Sequence, residues 1–243
     1  MSTPRFYFAD VLSTGLSLAL PEAAAHHAAR VLRLRVGDGL TLFNGRGGEY
    51  AAVITAIARN EVQVAVQRHD AVERESPLAV TLVQAISSGE RMDLTIQKAV
   101  ELGVQRIVPV DSERCVVRLK GERAEKRVAH WQQVAIAACE QCGRNRIPEV
   151  RMISPLAVWL AAEHGDALRW ALMPGAATAL RELPRPQRPV ELLVGPEGGL
   201  TNAEAEQAAR AGYLPVRLGP RVLRTETAAP ALLAALQALW GDF

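Results

Sequence analysis

The sequence VELLVGPEGGLTNAEAEQAARAGYLPVRLGPRVLRTETAAPALLAA, residues 190–235, predicts the fold of this part of the chain. It contains two apolar runs typical of strands, at residues 190–194 and 214–218. Each run leads directly into a turn rich in glycine and proline, GPEGG at 195–199 and GPR at 219–221, and then into a helical pattern. Turns at the carboxyl ends of parallel strands are where α/β proteins bind ligands. These two turns are therefore predicted to wall one ligand pocket.

The segments before this stretch continue the alternation of strands and helices. Apolar runs predict strands at residues 79–86, 106–110 and 168–173, and helices are predicted after the first two, the second over residues 123–142. Strands that alternate with helices indicate a parallel sheet with helices on its faces. The sequence therefore predicts an α/β domain over residues 78–243.

Residues 1–70 have a different rhythm, with short strands separated by turns. A hairpin is predicted between residues 40–43 and 50–57, and residues 61–67 alternate with period two, as a half-buried strand does. This pattern favours a small β-barrel domain. Residues 71–77 are polar and end in proline, so they are predicted to form the linker between the two domains.

Composition excludes several classes of protein. The net charge is only +2, but 25 of the 28 basic residues are arginine, the better residue for bidentate contacts with phosphate; a general bias toward alanine and arginine is the alternative explanation. The first residues lack the apolar core of a signal peptide, and no run approaches the roughly 18 apolar residues of a membrane helix. We expect a cytoplasmic protein.

The cysteines predict neither a redox nor a metal site. Cys139 and Cys142 have CxxC spacing but fall in the last turn of a predicted helix, where the helix dipole opposes a thiolate. Zinc needs more ligands than Cys115 offers nearby. We expect these cysteines to be buried or interfacial helix residues and the chain to bind no metal.

Basic residues cluster at three places that suit phosphate or base contacts. In HHAARVLRLRVGD, residues 26–38, three arginines are interleaved with aliphatic residues expected in the core, and Arg46 follows in the next loop. Two further groups lie at the end of the long helix and on the second glycine turn. A solvated surface is the alternative in each case. The first group is Arg30, Arg33 and Arg35, interleaved with Val31, Leu32, Leu34 and Val36. The group at the end of the long helix is Arg144, Asn145 and Arg146, and the group on the second glycine turn is Arg221 and Arg224.

The two glycine turns match neither common nucleotide fingerprint. No Gly-Lys-Ser/Thr sequence occurs, and the turns lie too late in the domain for the GxGxxG of a dinucleotide site. Thr201 and Glu204 have the spacing of a capping box, which explains the start of one helix. Thr225 or Thr227 is predicted to cap the last helix. Glu197 and the glycines are not explained by capping.

Together these segments resemble the bacterial 16S rRNA uridine N3-methyltransferases of the SPOUT class. The resemblance covers nearly the whole chain. The segments that carry it are HHAARVLRLRVGD, MDLTIQKAVELGVQRIVPV, SERCVV, AACEQCGRNRIPEV, LLVGPEGGLTNAE and LGPRVLRTETAA.

The resemblance implies a PUA-like β-barrel followed by a SPOUT domain with a carboxyl-terminal trefoil knot, working as a homodimer on 16S rRNA in the small ribosomal subunit. It implies that S-adenosylmethionine is the methyl donor and is held by three loops. The implied cofactor-binding residues are Leu172, Met173, Pro174, Val194, Gly195, Pro196, Gly198, Gly199, Leu200, Leu218, Gly219, Leu223 and Thr225.

Methylation at uridine N3 requires loss of the N3 proton and stabilisation of negative charge on the base. Glu197 is the first candidate to take the proton, and the alternative is that it fixes its own loop. Arg144 or Arg224 is expected to stabilise the anion and Asn145 to read the base edge. The expected RNA contacts are Arg30, Arg33, Arg35, Arg46, Arg114, Arg118, Arg146 and Arg221.

Two other functions stay open at this point. The chain could methylate another RNA, such as tRNA, or it could be an RNA-binding or ribosome-assembly protein that keeps the fold without catalysis. A dinucleotide oxidoreductase is a distant third, because no fingerprint supports it.

Overall fold

The computed structural model describes residues 3–59, 61–163 and 165–243, and the chain divides into two compact units. The first unit comprises Met1–Glu75 with Cys139–Ile147, and the second comprises Ser76–Ala138 with Pro148–Phe243. Residues 139–147 lie within the predicted second domain, residues 78–243. Long-range contacts place them with the first unit, and such contacts leave no local pattern in the sequence.

The first unit contains one five-stranded sheet. The strands are β1 (Arg5–Tyr7), β2 (Ser17–Ala19), β3 (Gly39–Phe43), β4 (Glu49–Ala58) and β5 (Glu61–Asp70). β1 and β3 pair in parallel, whereas β3–β4, β4–β5 and β5–β2 pair antiparallel, giving the order β1-β3-β4-β5-β2. The predicted hairpin is therefore present as β3–β4, while β2 was not predicted because its three residues are too few for a periodic signal.

The chain between β2 and β3 forms a short helix in two parts. α1 (Glu22–His26) continues into a π-helical turn, His27–Val31. The aliphatic residues that follow were expected in the core, but Val31 is 61% exposed, Leu32 42% and Val36 61%. The expectation was wrong for these three residues, whereas Leu34 does pack against the core. Arg33, just before Leu34, lies in the left-handed region at φ 54°. The core is filled from the strands instead, by residues such as Phe6, Leu42 and Val64.

The second unit contains an eight-stranded sheet in which every described pairing is parallel. The order is β11-β13-β10-β12-β6-β7-β8, with β9 also paired to β7. The strands are β6 (Val80–Ala85), β7 (Arg106–Asp111), β8 (Glu149–Val150), β9 (Ser154–Pro155), β10 (Leu168–Leu172), β11 (Thr178–Ala179), β12 (Val190–Val194) and β13 (Leu214–Arg217). The central strands are buried on both faces, as their continuous apolar runs predicted.

Five further α-helices accompany this sheet: α2 (Glu90–Glu101), α3 (Glu122–Cys142), α4 (Leu156–Ala161), α5 (Asn202–Arg210) and α6 (Thr225–Trp240). α6 packs against α2 and β12. Of the leucines along this helix, Leu232, Leu233 and Leu236 are fully buried, whereas Leu239 is 46% exposed. These leucines therefore serve mainly the core of the unit. Among the described residues, no helix has the length and apolar character needed to cross a membrane.

Candidate active site

Three loops of the second unit converge on one cavity of about 360 Å³. They follow β10, β12 and β13, which are parallel neighbours, so their carboxyl ends lie at the same edge of the sheet. The volume lies in the range of roughly 300–1,000 Å³ typical of small-molecule sites. Every residue that the resemblance implied for cofactor binding lines this cavity: Leu172, Met173, Pro174, Val194, Gly195, Pro196, Gly198, Gly199, Leu200, Leu218, Gly219, Leu223 and Thr225.

The cavity wall consists mainly of backbone and aliphatic side chains. A Cβ on Gly195 would lie 3.2 Å from the amide nitrogen of Leu200 and 3.4 Å from the carbonyl carbon of Gly199, so any larger residue would push these backbone atoms apart by a few tenths of an ångström. Such a cradle fits S-adenosylmethionine, because aliphatic walls can hold the adenine ring and backbone groups can bond its polar edge. The residues present therefore fit the implied cofactor.

Thr225 connects the last helix to the first glycine turn. α6 begins after Arg224 without a side-chain cap, so the predicted threonine cap is wrong. The Thr225 hydroxyl instead donates to the carbonyl of Gly195 at 2.9 Å and accepts from Gln84 Nε2 at 3.1 Å. Gln84 is fully buried in β6, and a polar residue inside an apolar strand was the signal by which it could have been found. Among the described residues its Oε1 has no hydrogen-bond partner.

Glu197 lines the cavity, and its carboxylate accepts hydrogen bonds from Ser88 and Arg91. Oε1 accepts from the Ser88 amide at 3.0 Å, the Ser88 hydroxyl at 3.1 Å and Arg91 Nη1 at 3.0 Å. Burial by itself raises the pKa of this carboxyl, but the hydrogen bonds from Ser88, its own amide and Arg91 outweigh burial and leave the pKa below its ordinary value. A proton acceptor works best with a pKa near the working pH. The geometry therefore favours the loop-fixing role over the proton acceptor.

Arg114 holds the same loop from another side. Its Nη1 donates to the carbonyls of Gly198 at 2.9 Å and Leu200 at 3.4 Å. The predicted capping box at the start of α5 is confirmed, since Thr201 and Glu204 bond reciprocally. Sequence reasoning assigned Arg114 to RNA, but its described contacts are with the wall of the cavity.

Arg144 and Asn145, expected to act on the base, are buried inside the first unit. Arg144 is 4% exposed, and its guanidinium binds both carboxylate oxygens of Glu75. Asn145 is fully buried, donates to the Val72 carbonyl at 2.8 Å and accepts from Arg5 at 2.6 Å. Polar atoms enclosed in this way face protein partners, so the geometry favours a structural role for both residues, and their expected roles on the base stay predictions. Both side chains fasten residues 139–147 to the first unit.

The other predicted arginines are on the surface. Arg224 is exposed at the start of α6 and does not line the cavity, whereas Arg221 is exposed and does. In the first unit Arg46 and Arg146 meet across a β-bridge. Arg118 is bound to its own turn, to Asp111 and two carbonyls. The remaining three are exposed next to the π turn: Arg30, Arg33 and Arg35.

The cysteines have the character expected of structural residues. Cys139 is buried, and burial raises the pKa of its thiol to about 12, so the thiolate does not form at neutral pH. Among residues 3–59, 61–163 and 165–243, no cluster of three or more His, Cys, Asp or Glu could hold a metal ion.

Comparison with known protein families gives two matches. A family described as RNA methyltransferase domain matches residues 74–237, and one described as RNA methyltransferase PUA domain matches residues 20–67. Together they cover most of the chain.

Curated relatives match over nearly their full length. A ribosomal RNA small subunit methyltransferase E from Buchnera aphidicola (subspecies Schizaphis graminum) is 36% identical over 98% of this chain and 97% of its own. One from Mycobacterium bovis is 33% identical over 96% of this chain and 91% of its own.

Solved structures show the same fold. The crystal structure of a ribosomal RNA small subunit methyltransferase E from Neisseria gonorrhoeae, bound to S-adenosyl methionine, matches with a TM-score of 0.93 and 43% identity over 100% of both chains. A putative methyltransferase from Legionella pneumophila, in complex with the same cofactor, matches with a TM-score of 0.94 and 42% identity, again over 100% of both chains.

Proposed function

The chain belongs to the RNA methyltransferase family whose curated members are named ribosomal RNA small subunit methyltransferase E, and from this premise we propose that it transfers a methyl group from S-adenosylmethionine to N3 of a specific uridine in 16S rRNA, acting on the small ribosomal subunit. The enzyme class rests on the family. The observation that carries the proposal is the convergence of all the implied cofactor residues on one cavity.

The cavity residues bind and orient. When bound, the cofactor supplies a methyl group that is already electrophilic. Glu197 and Arg114 hold the loop between Gly195 and Leu200 in place, and Thr225 fixes the carbonyl of Gly195. Holding reactants in a fixed geometry accounts for a large part of the rate enhancement of many enzymes.

The base must lose the proton on N3, and the charge that remains needs a cation nearby. Arg224 is exposed next to the loop that ends at Thr225, so we assign it this role in place of Arg144. The Glu197 carboxylate is the one acidic side chain among the residues lining the cavity. Its bonds to Ser88 and Arg91 support a positioning role, and substitution by glutamine separates that role from proton transfer.

The first unit is proposed to bind rRNA through its PUA-like sheet, with phosphate contacts from Arg30, Arg33, Arg35, Arg46 and Arg146, all of which are exposed. Phosphate contacts of this kind orient a protein on RNA without reading its sequence. The chain is further proposed to act in the cytoplasm as a homodimer.

A trefoil knot is also part of the proposal. β13 pairs on the opposite side of β10 from β12, and α6 then returns to pack on α2 and β12. This return path supports a threaded carboxyl-terminal segment, which ordinary chain topology avoids.

The test is primer extension on ribosomal RNA, because N3-methyluridine cannot form a Watson–Crick pair and stops reverse transcriptase. RNA from a strain lacking this protein is expected to lose one stop in 16S rRNA, and expression of the chain restores it. An unchanged pattern of stops would refute the substrate.

Two further assays separate the remaining functions. Purified tRNA offered in place of small subunits tests the other RNA substrate. Calorimetry with S-adenosylmethionine tests the non-catalytic alternative, for which no binding is expected.

A further inference from the structure

A second cavity of about 470 Å³ lies beside the first in the same unit. The two cavities share the end of β13 and the segment after it, including Arg217 and Arg221. The second cavity adds Arg181 on one side and the apolar residues Ala235 and Leu239 of α6 on the other. No sequence motif pointed to it, because its arginines are separated by up to 40 residues.

The second cavity is strongly positive. Three arginines line it, and none of its lining residues, all of which the structure describes, is acidic. Within the described residues no carboxylate forms an ion pair with Arg181, Arg217 or Arg221. Arg217 donates to the carbonyls of Ala176 and Ala177, which hold its guanidinium in place but leave its charge uncompensated. Three like charges around one cavity attract an anion.

We propose that this cavity binds a backbone phosphate of the RNA substrate, next to the nucleotide that is methylated, with Arg181 and Arg221 as the contacts and Arg217 as a fixed positive wall. The inference rests on the proposed function, because it takes RNA as the substrate. The shared segment supplies the geometry: an RNA strand that brings a base toward the cofactor cavity must pass the neighbouring surface. Arginine suits phosphate because its planar guanidinium donates two parallel hydrogen bonds.

A second copy of the chain is the other possible occupant of a cavity with an exposed apolar rim. A two-fold contact pairs residue i of one copy with residue j of the other, so a second copy would have to supply carboxylates from outside this cavity, whose lining has none. The charge of the cavity therefore favours RNA phosphate over a second copy.

The experiment compares Arg181→Ala with Arg185→Ala. Arg185 is exposed, lies four residues away and lines neither cavity, so it is a matched loss of one surface charge. Binding to small subunits that lack the methyl group is measured over a range of salt concentrations, and transfer kinetics are measured with the same subunits. Cofactor affinity is measured by calorimetry.

We expect Arg181→Ala to lower the slope of log K against log salt by about 0.7–0.9, the change for one lost phosphate contact, and to raise KM for the subunit several-fold with kcat and cofactor affinity unchanged. Arg181→Lys should restore most of the slope because it keeps the charge. A structural role would not change the salt dependence in this way.

Equal behaviour of Arg181→Ala and Arg185→Ala would overturn the phosphate site. A change in molecular mass in solution, measured by light scattering for Arg181→Ala but not for Arg185→Ala, would also overturn it and assign the cavity to a contact between copies. Failure of the wild-type chain to methylate small subunits is a different result, since it refutes the proposed function itself.

Discussion

The polar cluster of the first unit (Arg144, Asn145 and Glu75) and the cavity of the second unit use charged groups differently, and residue type alone does not reveal this difference. The cluster contains arginines, carboxylates and an amide at short distances, the usual composition of an active site, yet Arg144 and Asn145 are enclosed and paired. The cavity has few charged side chains and consists mostly of backbone and aliphatic walls. Ligand binding here depends on how loops are placed, and charged groups serve mainly to hold them.

The largest expected effect tests whether the cluster is structural. Arg144→Ala leaves the partly buried Glu75 carboxylate without its charged partner and should lower the free energy of unfolding by about 3–5 kcal/mol, as measured by chemical denaturation. Arg146→Ala is the control: that arginine is 57% exposed and 3.5 Å from Glu73, so about 1 kcal/mol or less is expected. If Arg144→Ala keeps full stability but loses methyl transfer, the result would show that Arg144 acts in catalysis.

The next effect concerns Glu197 in the cavity. Glu197→Gln removes the closer of the two carboxylates paired with Arg91 and should weaken cofactor binding by about 2 kcal/mol, roughly 30-fold, with transfer falling in parallel. Calorimetry and kinetics on one preparation give both values. Retained cofactor affinity with abolished transfer would instead identify the carboxylate as the proton acceptor.

The contribution of the Glu197 carboxylate to folding stability changes with pH in a defined direction. Its folded pKa lies below the ordinary value of 4.5, so its contribution to stability is complete above that pH and is lost as the pH falls through the lowered pKa. Thermal melts between pH 3 and pH 6 should show a shallower acid limb for Glu197→Gln than for wild type. Glu49 in the first unit, whose pKa is lowered by Arg74 and Arg5 against the opposing effect of burial, should behave alike in Glu49→Gln.

A smaller effect tests the reassignment of Arg114. Arg114→Ala removes the donor to the Gly198 and Leu200 carbonyls and should raise the cofactor Kd by about fivefold, or ~1 kcal/mol, without changing the salt dependence of RNA binding. Arg118→Ala, whose guanidinium is bound to its own turn, should leave cofactor binding unchanged. Weaker RNA binding with normal cofactor affinity would support the RNA contact that the sequence suggested.

The smallest effect concerns the cysteines. Because the pKa of Cys139 is about 12, alkylation with iodoacetamide at pH 8 should reach the half-buried Cys142 first and leave Cys139 unmodified in the folded chain. Mass spectrometry of peptides after timed quenching measures the order. Rapid modification of Cys139 would show that the end of α3 opens readily.

The sequence predicted the cavity better than it predicted the charged groups around it. Glycine turns after parallel strands have a local pattern, so two of the three loops that line the cavity could be assigned from that pattern, and the third, at residues 172–174, was implied only by the family resemblance. The hydrogen bonds of Arg144 and Arg114 are to residues that are 69 and 84 positions away in sequence. Such pairings have no periodicity, and an arginine that binds RNA looks the same in sequence as one that binds a carbonyl.

The first unit was predicted incompletely for the same reason, because features without a local sequence pattern cannot be predicted. The strands of its hairpin alternate visibly, but the exposure of Val31 and Val36 depends on the π-helical turn and on the left-handed backbone of Arg33, neither of which has a sequence signal. Residues 139–147 lie inside the predicted α/β domain but make contacts in the first unit, and their partners Val72 and Glu75 precede the long helix by many residues, so no local pattern predicts these contacts.

The parallel sheet has a consequence for biosynthesis. Val80 of β6 pairs with Val190 of β12, and the wall of the cavity is complete only when Thr225 and Ala228 are in place. Contacts this distant in sequence form slowly. During translation, the nascent chain therefore cannot capture its cofactor until nearly the whole of the second unit has left the ribosome. A chain that retains the cofactor has therefore completed both the synthesis and the folding of this unit.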